Sequence, residues 1–154
     1  MDDKALLKEL RVGWEYAYLH DDWVTTLEEA LDGVDAVQAH WRPPSGAMGI
    51  FDIVMHLTVW NEDIVIRIQT GQKSHPKEGA WPPRPSSPNK GEWLRWRKRL
   101  WESCSKVDRL LHSTTMDQIN ASPYGLGDLL CRLTHMGYHI GQITKLREWY
   151  ESSR

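Results

Sequence analysis

Four long segments carry apolar residues at helical spacing, and this pattern restricts the chain to an all-helical fold. The segments are residues 3–20, 50–70, 89–112 and 126–150. In the second segment the apolar residues alternate in steps of four and three, as a packing seam does: Ile53, Leu57, Trp60, Ile64 and Ile68. No strand-like alternation and no internal repeat stands out. The pattern therefore predicts an all-α protein built as a four-helix bundle.

The residues between these segments predict where the helices begin and end. Asp21–Asp22 is expected to break the first helix, and residues 25–31 are expected to form a short helical turn. Residues 41–49, with two prolines and two glycines, predict a loop. Gly71 is a plausible end for the second long helix, and Asn89 can cap the third.

The longest connection, residues 72–88, contains five prolines and predicts an irregular segment. At about 3.1 Å per residue when extended, it can reach back along a helix of about 30 Å. The second and third helices are therefore expected to run parallel, joined by a crossover. This predicts an up-down-down-up bundle rather than simple up-and-down connections.

Length and charge favour one ordinary soluble domain over residues 1–154. The net charge is −2 and the pI is about 6.4, so no basic surface argues for a nucleic-acid partner. No apolar run approaches the roughly 20 residues that span a bilayer, and the charged start MDDKALLKEL lacks the apolar part of a secretory signal. Cys104 and Cys131 do not make a disulfide framework. We expect a cytoplasmic protein without a membrane partner.

Three histidines are the strongest functional signal in the chain. His135 and His139 are four residues apart in the last predicted helix, so both imidazoles lie on one face, one turn apart. His56 lies in the second long helix. Two histidines from one helix and one from another could form a three-ligand metal site with an open coordination position. The spacing alone does not establish that the two helices face each other at matching depth.

Several neighbours of the histidines are candidates for supporting roles. Gly137 and Gly141 each cost a helix about 1 kcal/mol relative to alanine, which suggests close approach of another helix or a ligand. Gln142 is either a group that orients His139 or an exposed amide. Cys131 is one turn before His135 and is either a fourth ligand or, more in keeping with its type, a core cysteine.

Three aspartates and two tryptophans also lie near the histidines along the chain. Asp52 and Asp63 flank His56 and are either carboxylates that orient it or solvated residues. Asp128 is explained by the dipole at the start of the last helix. Trp41 and Trp60 either shape an apolar pocket around the site or simply pack in the core.

Two segments of the chain resemble the DinB-like (DinB/YfiT) superfamily. Residues 27–68 contain a Trp-Arg-Pro loop followed by a helix with a single histidine. Residues 128–150 contain the sequence HMGYH followed by Ile-Gly-Gln-Ile. Either motif alone is weak, and together they are fairly specific. Some members carry another histidine near the position of Cys131, and its absence leaves the three histidines intact.

The resemblance implies a fold, a metal site and a class of activity. It implies the up-down-down-up bundle and a metal triad of His56, His135 and His139. The implied metal is nickel or zinc, with manganese and iron as alternatives. Similar proteins are often homodimers, and they include thiol transferases that use bacillithiol, mycothiol-dependent isomerases and proteins described as metal-dependent hydrolases. We therefore expect a small-molecule substrate, for example a low-molecular-weight thiol.

Three functional hypotheses remain open from the sequence. The first is a metal-dependent enzyme, either a thiol transferase or a hydrolase, with no catalytic base identified and no HExxH motif. For a thiol-binding site, Arg67, Arg132 and Arg147 are only generic candidates. The second is a non-catalytic metal-binding, sensor or stress-related protein. The third is nucleic-acid binding by residues 95–101, RWRKRLW, against which a solvated helix face is the favoured interpretation.

Overall fold

The computed structural model describes residues 2–20 and 23–154, and these residues form seven helices and no strand. The helices are α1 (Asp3–Tyr18), α2 (Leu27–Leu31), α3 (Ala36–His40), α4 (Ile50–Thr70), α5 (Lys90–Ser113), α6 (Met116–Ala121) and α7 (Gly125–Ser152). The all-α prediction is confirmed, and the four longest helices match the four predicted segments. Helix α1 ends at Tyr18, two residues before the predicted end of this helix at residue 20. The break predicted at Asp21–Asp22 lies outside the described residues.

Helix caps explain the short helices, including the two that the sequence analysis did not predict. The Thr26 hydroxyl accepts from the Glu29 backbone N–H, and the Glu29 carboxylate accepts from the Thr26 backbone N–H, which starts α2 with a capping box. Thr115 and Gln118 make the same reciprocal pair at the start of α6. Asp35 caps α3 through its carboxylate. Such caps satisfy backbone N–H groups that a helix start otherwise leaves without partners.

Helix α4 is the central element, and 16 of its 21 residues are buried. It contacts α5 from the Phe51–Trp93 ring pair, 5.4 Å apart, to the bond from Asn61 Nδ2 to Ser103 Oγ at 3.2 Å. Residues later in α4 therefore contact residues later in α5. Helices α1 and α7 also pack together and complete the contacts around the core.

Two tryptophans in this core bond their indole N–H groups to backbone carbonyls. Trp14 donates to the Cys104 carbonyl at 3.2 Å, and Trp93 donates to the Val34 carbonyl at 2.9 Å. Both side chains are almost completely buried. Because each indole finds an acceptor, the large ring can be buried without leaving an unpaired donor.

The proline-rich connection between α4 and α5 returns along α4 to the region of α3. The His40 ring contacts the Pro85 carbonyl at 3.0 Å, and Arg84 donates to the His40 carbonyl at 2.6 Å. These bonds hold the connection, residues 72–88, against the helices, where it forms a strap over α4. None of the described helices combines the length and the apolar character needed to cross a membrane.

Candidate metal centre

His56 from α4 meets His135 and His139 from α7 in the region where these two helices face each other. The Nε2 atom of His135 is 2.9 Å from the Nε2 atom of His56 and 2.9 Å from that of His139. His56 and His139 are buried and His135 is half-buried. One nitrogen from each ring lies within 4.8 Å of the other two. The structure therefore brings together all three histidines that the sequence singled out.

The outer nitrogens of two rings fix which nitrogen carries the proton. His56 Nδ1 is 2.6 Å from the Ala80 carbonyl oxygen, which can only accept, so Nδ1 donates. His139 Nδ1 is 2.6 Å from Gln142 Oε1, while the Gln142 amide nitrogen donates to the Tyr138 hydroxyl at 2.9 Å. Each neutral ring thus keeps its proton on Nδ1 and presents a bare Nε2 lone pair to the centre of the cluster.

The three converging nitrogens cannot satisfy one another by hydrogen bonding. His135 Nε2 faces two bare lone pairs, and a single proton on it can serve only one of them. The other nitrogen of this ring, His135 Nδ1, is buried and has no hydrogen-bond partner among the described residues. A divalent cation bound by the three Nε2 atoms would remove this conflict, so the residues present fit a metal ion.

Burial keeps the cluster in the form that can bind a metal. Removal from water lowers the pKa of His56. It also lowers the pKa of His139 to about 4, with a further contribution from the nearby charge of His56. Both imidazoles are therefore neutral at neutral pH, and a neutral imidazole is the form that donates its lone pair to a metal.

The strap between α4 and α5 supplies two contacts that the sequence analysis missed. Besides the Ala80 carbonyl, the Trp81 ring stacks on the His56 ring, with centroids 3.9 Å apart and planes 14° apart. Residues 72–88 were expected to be only a connection. Nothing in the local sequence distinguishes Trp81 from the other tryptophans, because its role depends on how the strap crosses α4.

A cavity of about 730 Å³ opens on one side of the histidines. Its walls are mainly apolar and aromatic, with Met48, Ile53, Trp81 and Trp149 among them. Polar groups enter from α7: Tyr138, Gln142 and Lys145. A mostly apolar cavity with a few converging polar groups is typical of a small-molecule site.

A second cavity, of about 240 Å³, lies between α4 and α7 and shares His56 and His135 with the first. Trp60 and Ile64 form its apolar wall. Its polar lining comes from Arg67, Asp128, Cys131 and Arg132. The histidines therefore lie at the boundary of two cavities of different character.

Neither aspartate that flanks His56 along the chain bonds to a histidine. Asp52 accepts from the Gly49 backbone at 2.8 Å and pairs with Arg42 at 2.8 Å, which fixes the start of α4. Asp63 pairs with Arg67 and accepts from Ser74 at 2.7 Å. Both side chains are buried, so the interpretation as solvated residues is also wrong. The Ala80 carbonyl orients His56 instead.

Other predicted neighbours divide between the site and its surroundings. Gln142 orients His139, as one of its two interpretations required. Cys131 is exposed, lies outside the group of converging ligands and lines the smaller cavity, so it is neither a core cysteine nor a fourth member of that group. A Cβ at Gly137 or Gly141 would meet nothing within 4 Å, so no close approach within the described chain explains these glycines.

The remaining predicted residues also have defined positions. Asp128 is in the first turn of α7, as predicted, and in addition pairs with Arg67 at 3.0 Å. Arg147 lines neither cavity around the histidines and donates to the carbonyls of Glu29 and Ala30. Trp41 packs on Tyr150 rather than around the histidines.

The basic segment 95–101 lies on α5 with several of its charges paired. Arg99 bonds to Glu62 and Glu78 at 2.7 and 2.9 Å, and Arg95 pairs with Glu92. Trp96 in the same segment is buried. These contacts describe a helix face stabilised by acids from its own and neighbouring elements.

Comparison with known proteins gives one match. A family model described as the DinB superfamily matches residues 18–143, a range that includes all three histidines. No curated protein and no solved structure matches the chain.

Proposed function

The chain belongs to the DinB superfamily, and from that premise we propose that it binds a divalent metal ion through His56, His135 and His139. The observation that carries the proposal is the convergence of the three Nε2 atoms, two of them bare because their rings donate through Nδ1. Nickel and zinc are the first candidates from the family resemblance, and imidazole ligands suit both; manganese and iron are alternatives.

We further infer that the protein is a metal-dependent enzyme of the thiol-transferase or hydrolase type acting on a small molecule. A divalent ion held by three neutral histidines would supply a Lewis acid able to activate water or a thiol. The cavity of about 730 Å³ has room for such a substrate beside the histidines. The ring of Trp81 and the apolar side chains of the walls would contact the substrate beside the cluster.

The side chains around the cavities favour thiol transfer over hydrolysis. Hydrolysis calls for a general base near the activated water. Asp128 is the one carboxylate among the described residues that line the two cavities around the histidines, and it is paired with Arg67. A low-molecular-weight thiol needs no such base if the ion stabilises its thiolate.

The alternative is a non-catalytic metal-binding or stress-related protein. A fully enclosed set of four protein ligands would favour that function. The group found here has three members and adjoins two cavities, which favours an enzyme.

We also infer an up-down-down-up order for the four long helices. Contacts advance together along α4 and α5, as expected for parallel helices. Along α4 and α7 they run in opposite order, from His56 with His139 to Arg67 with Asp128. Homodimer formation and a cytoplasmic location remain predictions from the family resemblance and the composition.

Metal content measured by elemental mass spectrometry tests the proposal. Protein purified without an affinity tag or chelator is compared with a variant carrying His56→Ala, His135→Ala and His139→Ala. The matched control replaces three histidines outside the cluster: His20, His75 and His112. We expect near-stoichiometric metal in the parent and the control, and none in the folded cluster variant. Absence of metal from the parent after reconstitution with nickel, zinc, manganese and iron would refute the site.

A further inference from the structure

Arg132 is a buried cation without a partner among the described residues, one turn before His135 on α7. Only 7% of the residue is exposed. Its Nε and Nη2 atoms are buried, and neither has a hydrogen-bond partner among the described residues. Buried polar groups are nearly always hydrogen-bonded, and a buried charge without a partner is costly. Packing therefore does not account for the burial of this charged side chain.

The charge of Arg132 persists despite its burial. Removal from water is the main reason that the pKa of Arg132 falls to about 10; the nearby charge of Arg67 contributes to this fall, and the charge of Asp128 opposes it. That value remains well above neutral pH. The side chain is thus a guanidinium cation under ordinary conditions, with donors that require acceptors.

The neighbouring carboxylates are already occupied by a different arginine. Both oxygens of Asp128 accept from Arg67 Nη1, at 3.0 and 3.3 Å, and Asp63 pairs with Arg67 as well. The Arg67 guanidinium also lies 5.3 Å from the ring centres of Trp60 and Tyr124. Arg67 is therefore held from several sides, whereas its neighbour Arg132 pairs with no carboxylate in the described part of the chain.

Arg132 and two of the histidines line the same cavity, so an anion bound there would lie beside the unpaired charge. Arg132 lines the cavity of about 240 Å³ together with His56 and His135. At about 30 Å³ for each water, this space holds roughly eight water molecules, enough for a carboxylate with a short carbon chain. Trp60 and Ile64 give this cavity an apolar part beside its charged groups.

We propose that Arg132 is the anion-binding residue of this cavity and that it takes the carboxylate of a small organic acid. A planar guanidinium matches a carboxylate through two parallel hydrogen bonds. The apolar wall would cover the short carbon chain of the same molecule. The inference rests on the proposed function, because it names the chemical class of molecule that the histidine site would act on.

Binding of acetate and propionate to chelator-treated protein tests this assignment without any need for activity. Acetamide and propionamide are the matched neutral probes, since they have nearly the same shape and no charge. Binding is followed by tryptophan fluorescence, to which Trp60 in the wall contributes, and by the shift in thermal midpoint. We expect saturable binding of the acids and at least about tenfold weaker binding of the amides.

Two variants of Arg132 and one control locate the anion. Arg132→Met removes the charge at similar volume and should abolish acid binding. Arg132→Lys keeps the charge but loses the paired guanidinium donors, so it should weaken acid binding about tenfold. Lys145→Gln is the matched control, because it removes a positive charge from the larger cavity on the same helix. Its acid binding should be unchanged. Circular dichroism checks that each variant is folded.

The outcomes separate this inference from the proposed metal site. Equal binding of acids and amides, or loss of binding in Lys145→Gln with retention in Arg132→Met, would overturn the assignment to Arg132. Acid binding that requires metal and persists in Arg132→Met would also overturn it, while leaving the metal site standing. Acid binding through Arg132 in a protein that takes up no metal would support the anion site and refute the metal proposal.

Discussion

Replacement of Gln142 by alanine should weaken metal binding without removing any of the three proposed ligands. Gln142 Oε1 accepts from His139 Nδ1 at 2.6 Å, which keeps the proton on that nitrogen and Nε2 bare. Without this acceptor, the ring can rotate or carry its proton on Nε2, and a fraction of the molecules no longer presents a lone pair to the ion.

The expected size of the effect follows from the role of such orienting bonds. Loss of one typically reduces metal affinity by about 10–100-fold, or roughly 1.4–2.7 kcal/mol at 1.36 kcal/mol for each factor of ten. Gln142 and the Ala80 carbonyl are the two hydrogen-bond acceptors among the described residues that orient rings of this cluster. A backbone carbonyl cannot be deleted by mutation, so Gln142 is the better site for the experiment.

Competition with a chromophoric chelator measures the affinity in the parent and in three variants. Gln142→Ala should bind the metal about 10–100-fold more weakly than the parent, because it loses the bond that orients His139. Gln142→Glu keeps an acceptor at the same place and should bind at least as tightly as the parent. Tyr138→Phe is the matched control, because it removes the partner of the Gln142 amide nitrogen and leaves the bond to His139 in place. Parent-like affinity in a folded Gln142→Ala protein would refute the reasoning.

Three further outcomes follow from burial. Leu100 is completely buried in the core, so Leu100→Ala should lower the free energy of unfolding by about 2–5 kcal/mol in a urea titration; a loss below 1 kcal/mol would contradict its place there. Burial raises the pKa of the Cys104 thiol to about 12, whereas Cys131 is exposed; a thiol reagent at pH 8 should therefore modify one cysteine per folded chain and two after unfolding. Because the pKa of His139 falls from its ordinary 6.5 to about 4 on folding, the unfolded chain binds more protons between these values, and the metal-free protein should lose stability as the pH falls through this range. Urea titrations at pH 7 and pH 5 check this last sign, and His139→Ala should show a smaller difference between them.

The sequence predicted the parts of the site that depend on a single helix. His135 and His139 share a face because four residues make about one turn, and Gln142 reaches His139 because three residues do nearly the same. Prediction of two of the three short helices failed even though their caps are visible as Asp35 and as Thr115 with Gln118. A five- or six-residue helix has too few apolar positions to show a period.

The spacing of apolar residues could not predict which residues of two different helices would meet. His56 and His135 are 79 residues apart, and their meeting depends on the depth and rotation of α4 against α7. Asp52 shows a related limit, because its partner is Arg42 in the loop before α4 rather than a histidine. A polar side chain near a site in sequence can point to either side of a helix, and only packing selects which side.

By itself the sequence determined an all-helical chain, its four long helices, and a histidine pair on one face of the last helix. Local hydrogen bonds and the spacing of apolar residues suffice for these features, since both act within a few residues. The tertiary structure decided that a third histidine completes the cluster and that a proline-rich strap provides Ala80 and Trp81 to hold it. It also decided that Arg132 is buried with no hydrogen-bond partner for Nε and Nη2 among the described residues. Those features arise where distant segments exclude water together, and that exclusion fixes which polar groups find partners and which do not.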